Sequence, residues 1–137
     1  MLGRWNAQDG KRRKPRMAML AVVLGLSWAG WSHAADPLGE QARQARRPVV
    51  VDFGMTRCGQ CIEQGKVMVR LKATVNDRLL TRFVHIGKEE ALAEAYKVLL
   101  IPTIVIFDAQ GKEVFRNVGL MPYDVLTGRL KELTLLR

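Results

Sequence analysis

Two cysteines separated by two residues, Cys58-Gly59-Gln60-Cys61, stand between a short β-branched run and a long amphipathic stretch. This placement constrains the fold more than any other feature of the chain. Val49-Val50-Val51-Asp52-Phe53 reads as a strand. Its unbroken apolar character suggests burial on both faces, as in a sheet covered by helices. After the first cysteine, Ile62, Met68, Leu71 and Val75 fall near helical spacing with charged residues between them, which predicts a helix from about Cys58 to Val75.

The rest of the chain extends this pattern. Pro37 to Arg47 is Ala/Gln/Arg-rich and suits a surface helix that Pro48 stops. Leu80 to Ile86 and Thr103 to Phe107 read as strands, with a helix over Lys88 to Val98 between them. Asp108-Ala109-Gln110-Gly111 is a turn, and Glu113 to Val118 returns as an antiparallel edge strand. A last helix is expected from Pro122 to about Leu135, with Pro122 in its first turn and Val125, Leu126, Leu130 and Leu133 on its buried face. The fold class is α/β, a small mixed four-stranded sheet flanked by helices.

Charge must be divided along the chain before it is interpreted. The net charge of the 137 residues is +9, but residues 1–35 hold six Lys/Arg against one Asp, so more than half of the excess lies there. Lys11 to Arg16 is a basic block, Met17 to Gly30 carries no charge, and Ser32-His33-Ala34 supplies small residues at alternate positions. This is the pattern of a secretory signal peptide. Residues 1–34 are therefore read as a signal cut after Ala34, and residues 35–137 as one domain. The alternative is an uncleaved membrane anchor, although the apolar run is short for the roughly 20 residues of a span. Arg12-Arg13 hints at a twin-arginine route, but Lys14-Pro15 follows where apolar residues are expected. A basic block that leads straight into an apolar run is not a nucleic-acid arm, so no nucleic-acid partner is expected. An exported, periplasmic location is expected, or an inner-membrane one for the anchored form.

The pair at 58 and 61 suits a small reversible disulfide at the start of a helix. Free backbone N–H groups and the helix dipole favour an anion there. The Cys58 thiolate should therefore form below the free value of about 8.5, and Arg57 beside it acts in the same direction. Cys61, one turn inside, should be shielded and should resolve a mixed disulfide by attacking Cys58. Two cysteines are too few for a four-cysteine zinc site, while copper(I) held by two thiolates stays open as an alternative. His85 reads as a strand histidine with a satisfied partner rather than a ligand. Met55 and Leu120 suit an apolar rim.

Taken together, VVVDF at 49–53, CGQC at 58–61, Tyr96, Ile101-Pro102-Thr103, the D-x-x-G turn at 108–111 and Gly119 resemble the thioredoxin superfamily over nearly all of residues 47–135. RPVVVDF, LLIPTIVIFDAQGKEV and VGLMPYDVLTGRL are most similar to the periplasmic thioredoxin-like domain of transmembrane thiol:disulfide interchange proteins. The resemblance implies that Cys58 attacks and Cys61 resolves. It also implies that Pro102 is a cis-proline freeing the Ile101 backbone for an extended substrate, and that Asp52 is a buried proton acceptor for Cys61. Arg57, Gly59, Gln60, Ile101 and Gly119 would then meet substrate. No cofactor beyond the disulfide and no metal is implied. The implied partners are disulfide-containing substrate proteins and a membrane thiol transporter as electron donor, and the protein would be a monomer. A non-catalytic interaction module on the same fold is the remaining alternative. Arg57 stands where Trp is usual, Gln60 where Pro is usual, and Phe83 where cytoplasmic thioredoxins often carry a lysine. A helix-kinking proline is replaced near Lys66, and the usual N-terminal strand is missing. These departures bear on recognition by a cytoplasmic reductase, not on thiol exchange.

Overall fold

A computed structural model describes residues 36–136. The expected cut after Ala34 and the alternative N-terminal anchor lie outside these residues, and no described helix is long and apolar enough to cross a membrane. The chain forms α1 (Pro37–Ala45), β1 (Val49–Gly54), α2 (Gly59–Val75), a 3-10 turn (Asn76–Arg78), β2 (Leu80–His85), α3 (Glu90–Ala95), β3 (Thr103–Phe107), β4 (Glu113–Val118) and α4 (Tyr123–Glu132). The strands order as β2-β1-β3-β4. β1 runs parallel to β2 and antiparallel to β3, and β3 pairs antiparallel with the edge strand β4. The sheet is therefore mixed and four-stranded, as its sequence pattern predicts.

Both faces of β1 are buried, which explains the apolar residues at Val49, Val50, Val51 and Phe53 on either side of the strand. Successive side chains of a strand point to opposite faces. Val50 faces a core with Met68, Leu71 and Val75 of α2 and Leu126 and Leu130 of α4. Val49, Val51 and Phe53 face a second core with Val84, Val105 and Phe107 of the sheet and Leu38 and Ala42 of α1. Tyr96 closes the second core. Its ring packs against Phe53 and Phe107 at centroid distances of 5.9 and 5.7 Å. Its hydroxyl accepts from the Leu38 amide at 2.9 Å and donates to Asp36 Oδ1. Asp36 in turn caps α1 by accepting from the Gly39 amide.

The start of α1 is seated on the β3–β4 turn through two glycines. A Cβ on Gly39 would lie 2.4 Å from the Gly111 carbonyl oxygen, and one on Gly111 would lie 2.3 Å from that of Gly39. Gly111 also has φ +78°, which an L side chain adopts only with strain. Gly111→Ala is expected to lower stability by roughly 2 kcal/mol or more in urea unfolding, since strain and a backbone clash act together. An unchanged midpoint would show that this contact gives way freely.

Several predicted elements are shorter than expected. α3 ends at Ala95 because Lys97 turns left-handed at φ 53° and the Lys97 and Val98 amides bond back to Glu94 and Ala93. α4 stops at Glu132, ahead of Thr134 at φ 58°, and Pro122 is its N-cap rather than part of its first turn. Ile62 and Val125, expected on buried helix faces, are 50% and 56% exposed. In α2, Met68, Leu71 and Val75 are buried as expected, and the stripe continues through Gln64 and Cys61 in place of Ile62. The polar Gln64 within that stripe is what an apolar count passes over.

Candidate active site

The register brings the chemistry to one end of the sheet. Phe53 pairs with Thr103, Thr103 with Val118, and Gly54 with His85. The segments leaving β1, β2 and β4 and the segment entering β3 therefore share that end. They carry the CGQC turn, Ile101-Pro102 and Gly119. The Ile101–Pro102 bond is cis, and the Pro102 carbonyl accepts from the Gly119 amide at 2.7 Å.

Cys58 is the N-cap of α2, with extended backbone at φ −107° and ψ 119°. Its sulfur accepts from the Cys61 amide at 3.2 Å and forms a disulfide with Cys61, whose Cα lies 5.1 Å away. No acidic residue occupies the first turn of α2, so nothing there opposes the attraction of the helix N-terminus for negative charge. Cys58 is partly exposed, whereas Cys61 is 3% exposed. Gly54 allows this burial: a Cβ there would stand 3.2 Å from the Cys61 Cβ and 3.4 Å from its sulfur.

Asp52 lies on the α2-facing side of β1, in line with Val50 and Gly54. It is 1% exposed, and neither carboxyl oxygen has a hydrogen-bond partner among the described residues. Burial pushes its pKa up to about 7. The carboxyl thus exchanges a proton in the neutral range, as a general base at this site requires. Phe83 pairs across from Asp52 on β2 and is 47% exposed, so no side chain of that strand position supplies a charge to the acid.

The remaining expected residues fall around the disulfide to different degrees. Arg57, Gly59 and Gln60 are exposed at the turn, Ile101 is half-buried, and Gly119, at φ +96°, has open space where a Cβ would be. Met55 and Leu120 are 38% and 41% exposed. Leu99 and Leu100, which the sequence did not single out, are exposed just ahead of Ile101. His85 departs from expectation, because its Nδ1 is buried without a partner among the described residues. Its ring instead meets the Phe83 ring edge-on at 6.3 Å. Among the described residues, no group of three or more His, Cys, Asp or Glu is arranged to hold a metal ion.

Sequence reasoning missed Gln64. It is fully buried, accepts from the Met121 amide at 2.7 Å and donates to the Met121 carbonyl at 3.3 Å. This pair of bonds ties α2 to the loop that carries Gly119 and Leu120. The available signal was its spacing, three residues after Cys61 and four before Met68.

Comparison with known proteins agrees with this geometry. A model described as a thioredoxin-like domain matches residues 39–134. Thioredoxin from Chlamydia caviae is 41% identical over 78 residues, covering 57% of this chain and 74% of that protein. Thioredoxin from Griffithsia pacifica is 30% identical over 93 residues, covering 68% and 84% respectively. The crystal structure of Fasciola hepatica thioredoxin superposes with a TM-score of 0.61 at 26% identity, covering 68% of this chain and 88% of that one.

Proposed function

The chain belongs to the family of thioredoxin-like domains, and we propose that it works outside the cytoplasm as a disulfide reductase of other proteins. Thiol:disulfide oxidoreduction is its activity, carried by the Cys58–Cys61 pair. The observation that carries the mechanism is the pairing of a partly exposed cysteine at a helix N-terminus with a buried one a turn inside, on a helix packed over the side of β1 that holds an unpartnered carboxyl.

In the reduced protein, the Cys58 thiolate attacks one sulfur of a substrate disulfide. The substrate S–S bond breaks and one substrate thiolate leaves. A mixed disulfide now joins Cys58 to the substrate. Cys61 gives its proton to Asp52 and attacks the Cys58 sulfur, and the second substrate thiolate leaves and takes up a proton. The substrate gains two electrons, and Cys58–Cys61 is left oxidised. Ile101, ahead of the cis bond, would pair with an extended substrate segment, while Gly119 leaves room for it. Arg57, Gly59 and Gln60 would border the same surface.

The reducing direction rests on the dipeptide between the cysteines. Strong oxidases over-stabilise the reduced thiolate, and Gly59-Gln60 has no histidine or proline to do so. Export rests on the basic block, apolar run and Ser32-His33-Ala34 of the N-terminus. An oxidising compartment drains any reductase, so a membrane thiol transporter is the fitting electron donor. Equilibration with glutathione tests the direction. A potential well below that of the glutathione pool is expected, and one as oxidising as a dedicated oxidase would reverse it. N-terminal sequencing of exported protein should begin at Ala35, whereas an intact terminus in the membrane fraction would favour the anchor.

Asp52→Asn separates the two chemical steps. The first attack should proceed nearly unchanged, while resolution should slow by roughly ten- to a hundredfold, the low end of a general base's contribution. Stopped-flow fluorescence with a labelled disulfide substrate distinguishes the phases. Equal resolution rates would remove Asp52 from the proton path.

A further inference from the structure

Gln64 is the polar member of the buried stripe of α2, three residues after Cys61, and it is fully buried. An apolar side chain would continue that stripe with no demand for hydrogen bonds, whereas a buried amide is tolerated only when its donor and acceptor are satisfied. A single residue satisfies both. Gln64 Oε1 accepts from the Met121 amide at 2.7 Å, and Gln64 Nε2 donates to the Met121 carbonyl at 3.3 Å. We propose that Gln64 is a positioning residue for exchange with protein disulfides: it fixes the loop after β4 to the cysteine-bearing helix and so holds Leu120 in place at the rim of the substrate surface. This role rests on the thiol-exchange reading above.

The loop is pinned on both sides of Leu120. Before it, the Gly119 amide donates to the Pro102 carbonyl at 2.7 Å, and the Gly119 carbonyl accepts from Asn117 Nδ2 at 2.9 Å. After it, both backbone groups of Met121 are held by Gln64. Leu120 stands between these anchors and is 41% exposed. One anchor leads to the cis bond ahead of β3, the other to the helix one turn from Cys61. The Met121 side chain is itself buried beside Met68 and Leu126, which holds the loop down. Apolar packing is non-directional, however, whereas two bonds from one amide set both the place and the tilt of the Met121 peptide. A rim held in this way loses less freedom when a substrate chain lies across it, and that saving appears as tighter docking. A small disulfide with no chain to lie across the loop gains nothing from it.

The pre-reduced full-length protein is mixed with insulin or with hydroxyethyl disulfide, and its oxidation is followed by acid quench and alkylation. Gln64→Met keeps the length of the side chain and removes both bonds. It should raise the insulin concentration of half-maximal rate roughly tenfold and leave the limiting rate within about threefold, the signature of lost binding rather than lost chemistry. Its rate with hydroxyethyl disulfide should stay within about twofold of the parent. Val75→Ala, at the far end of the same stripe, loosens the core without reaching the loop and should change neither reaction by more than about twofold. Leu120→Ala alters an exposed residue and should weaken insulin docking as Gln64→Met does. Combining the two should add little, because both remove the same contact. Unchanged insulin docking in Gln64→Met or in Leu120→Ala, equal slowing with both disulfides, the same change in Val75→Ala, or additive effects in the double variant would overturn the role of Gln64 and leave thiol exchange standing. Failure of the parent to react with either disulfide would overturn thiol exchange and this role with it.

Discussion

Asp52→Asn should make the oxidised protein more stable at pH 8 by up to roughly 4 kcal/mol, and by much less at pH 5. The carboxyl has an ordinary value of 3.8 and is raised to about 7 by burial in the fold. Below about pH 4 it is protonated in both folded and unfolded chains, and its ionisation does not affect stability. Between about pH 4 and 7 the unfolded chain releases the proton while the folded chain retains it. Stability therefore falls as pH rises through this window and levels off above about pH 7. About three pKa units correspond to roughly 4 kcal/mol at 1.36 kcal/mol each. Asparagine cannot ionise, so the variant should lack this slope. Urea unfolding at pH 5, 6.5 and 8 measures it, and parallel curves for parent and variant would mean that the carboxyl is solvated. The same substitution should slow resolution, so the residue would trade stability for proton transfer at neutral pH.

Removing either sulfur should reduce turnover by roughly a thousandfold or more, because the pair works as one unit. The two variants should nevertheless fail differently. Cys58→Ser loses the nucleophile and should form no covalent complex with a disulfide substrate. Cys61→Ser keeps the partly exposed sulfur at the N-cap of α2 and loses only the buried one. It should accumulate a mixed disulfide that non-reducing electrophoresis resolves and added thiol dissolves. Equal accumulation in both variants would mean that either sulfur can attack. Full biological activity of Cys58→Ser, with substrate reduction lost, would favour a non-catalytic interaction module.

Much of this arrangement was legible in the sequence because the relevant signals are local. The Val49–Phe53 run marks a strand buried on both faces, and its position before CGQC sets Cys58 at a helix start. What sequence could not show depends on contacts between distant segments. Gln64 meets Met121 across the gap between α2 and the loop before α4, and a buried glutamine has no signature in an apolar count. The seating of Gly39 on Gly111 joins a helix to a turn far along the chain, where neither glycine alone announces a close approach. Ile62 and Val125 show the converse error: an apolar residue at helical spacing faces solvent when the neighbouring element leaves that side uncovered. A cavity beside Asp52 is lined by Gly65 and Met68 of α2 and by Phe83 of β2, a juxtaposition of separate elements that no local pattern announces.

The division of labour between the sulfurs is the centre of this account, and alkylation tests it most directly. The reduced protein is treated with limiting iodoacetamide at pH 7 and mapped by mass spectrometry. Helix N-terminal stabilisation and partial exposure should direct the label to Cys58, at least tenfold in excess over Cys61, with a thiolate titrating below about 8.5. Preferential labelling of Cys61, or equal labelling of both, would contradict the assignment of Cys58 as attacking and Cys61 as resolving sulfur.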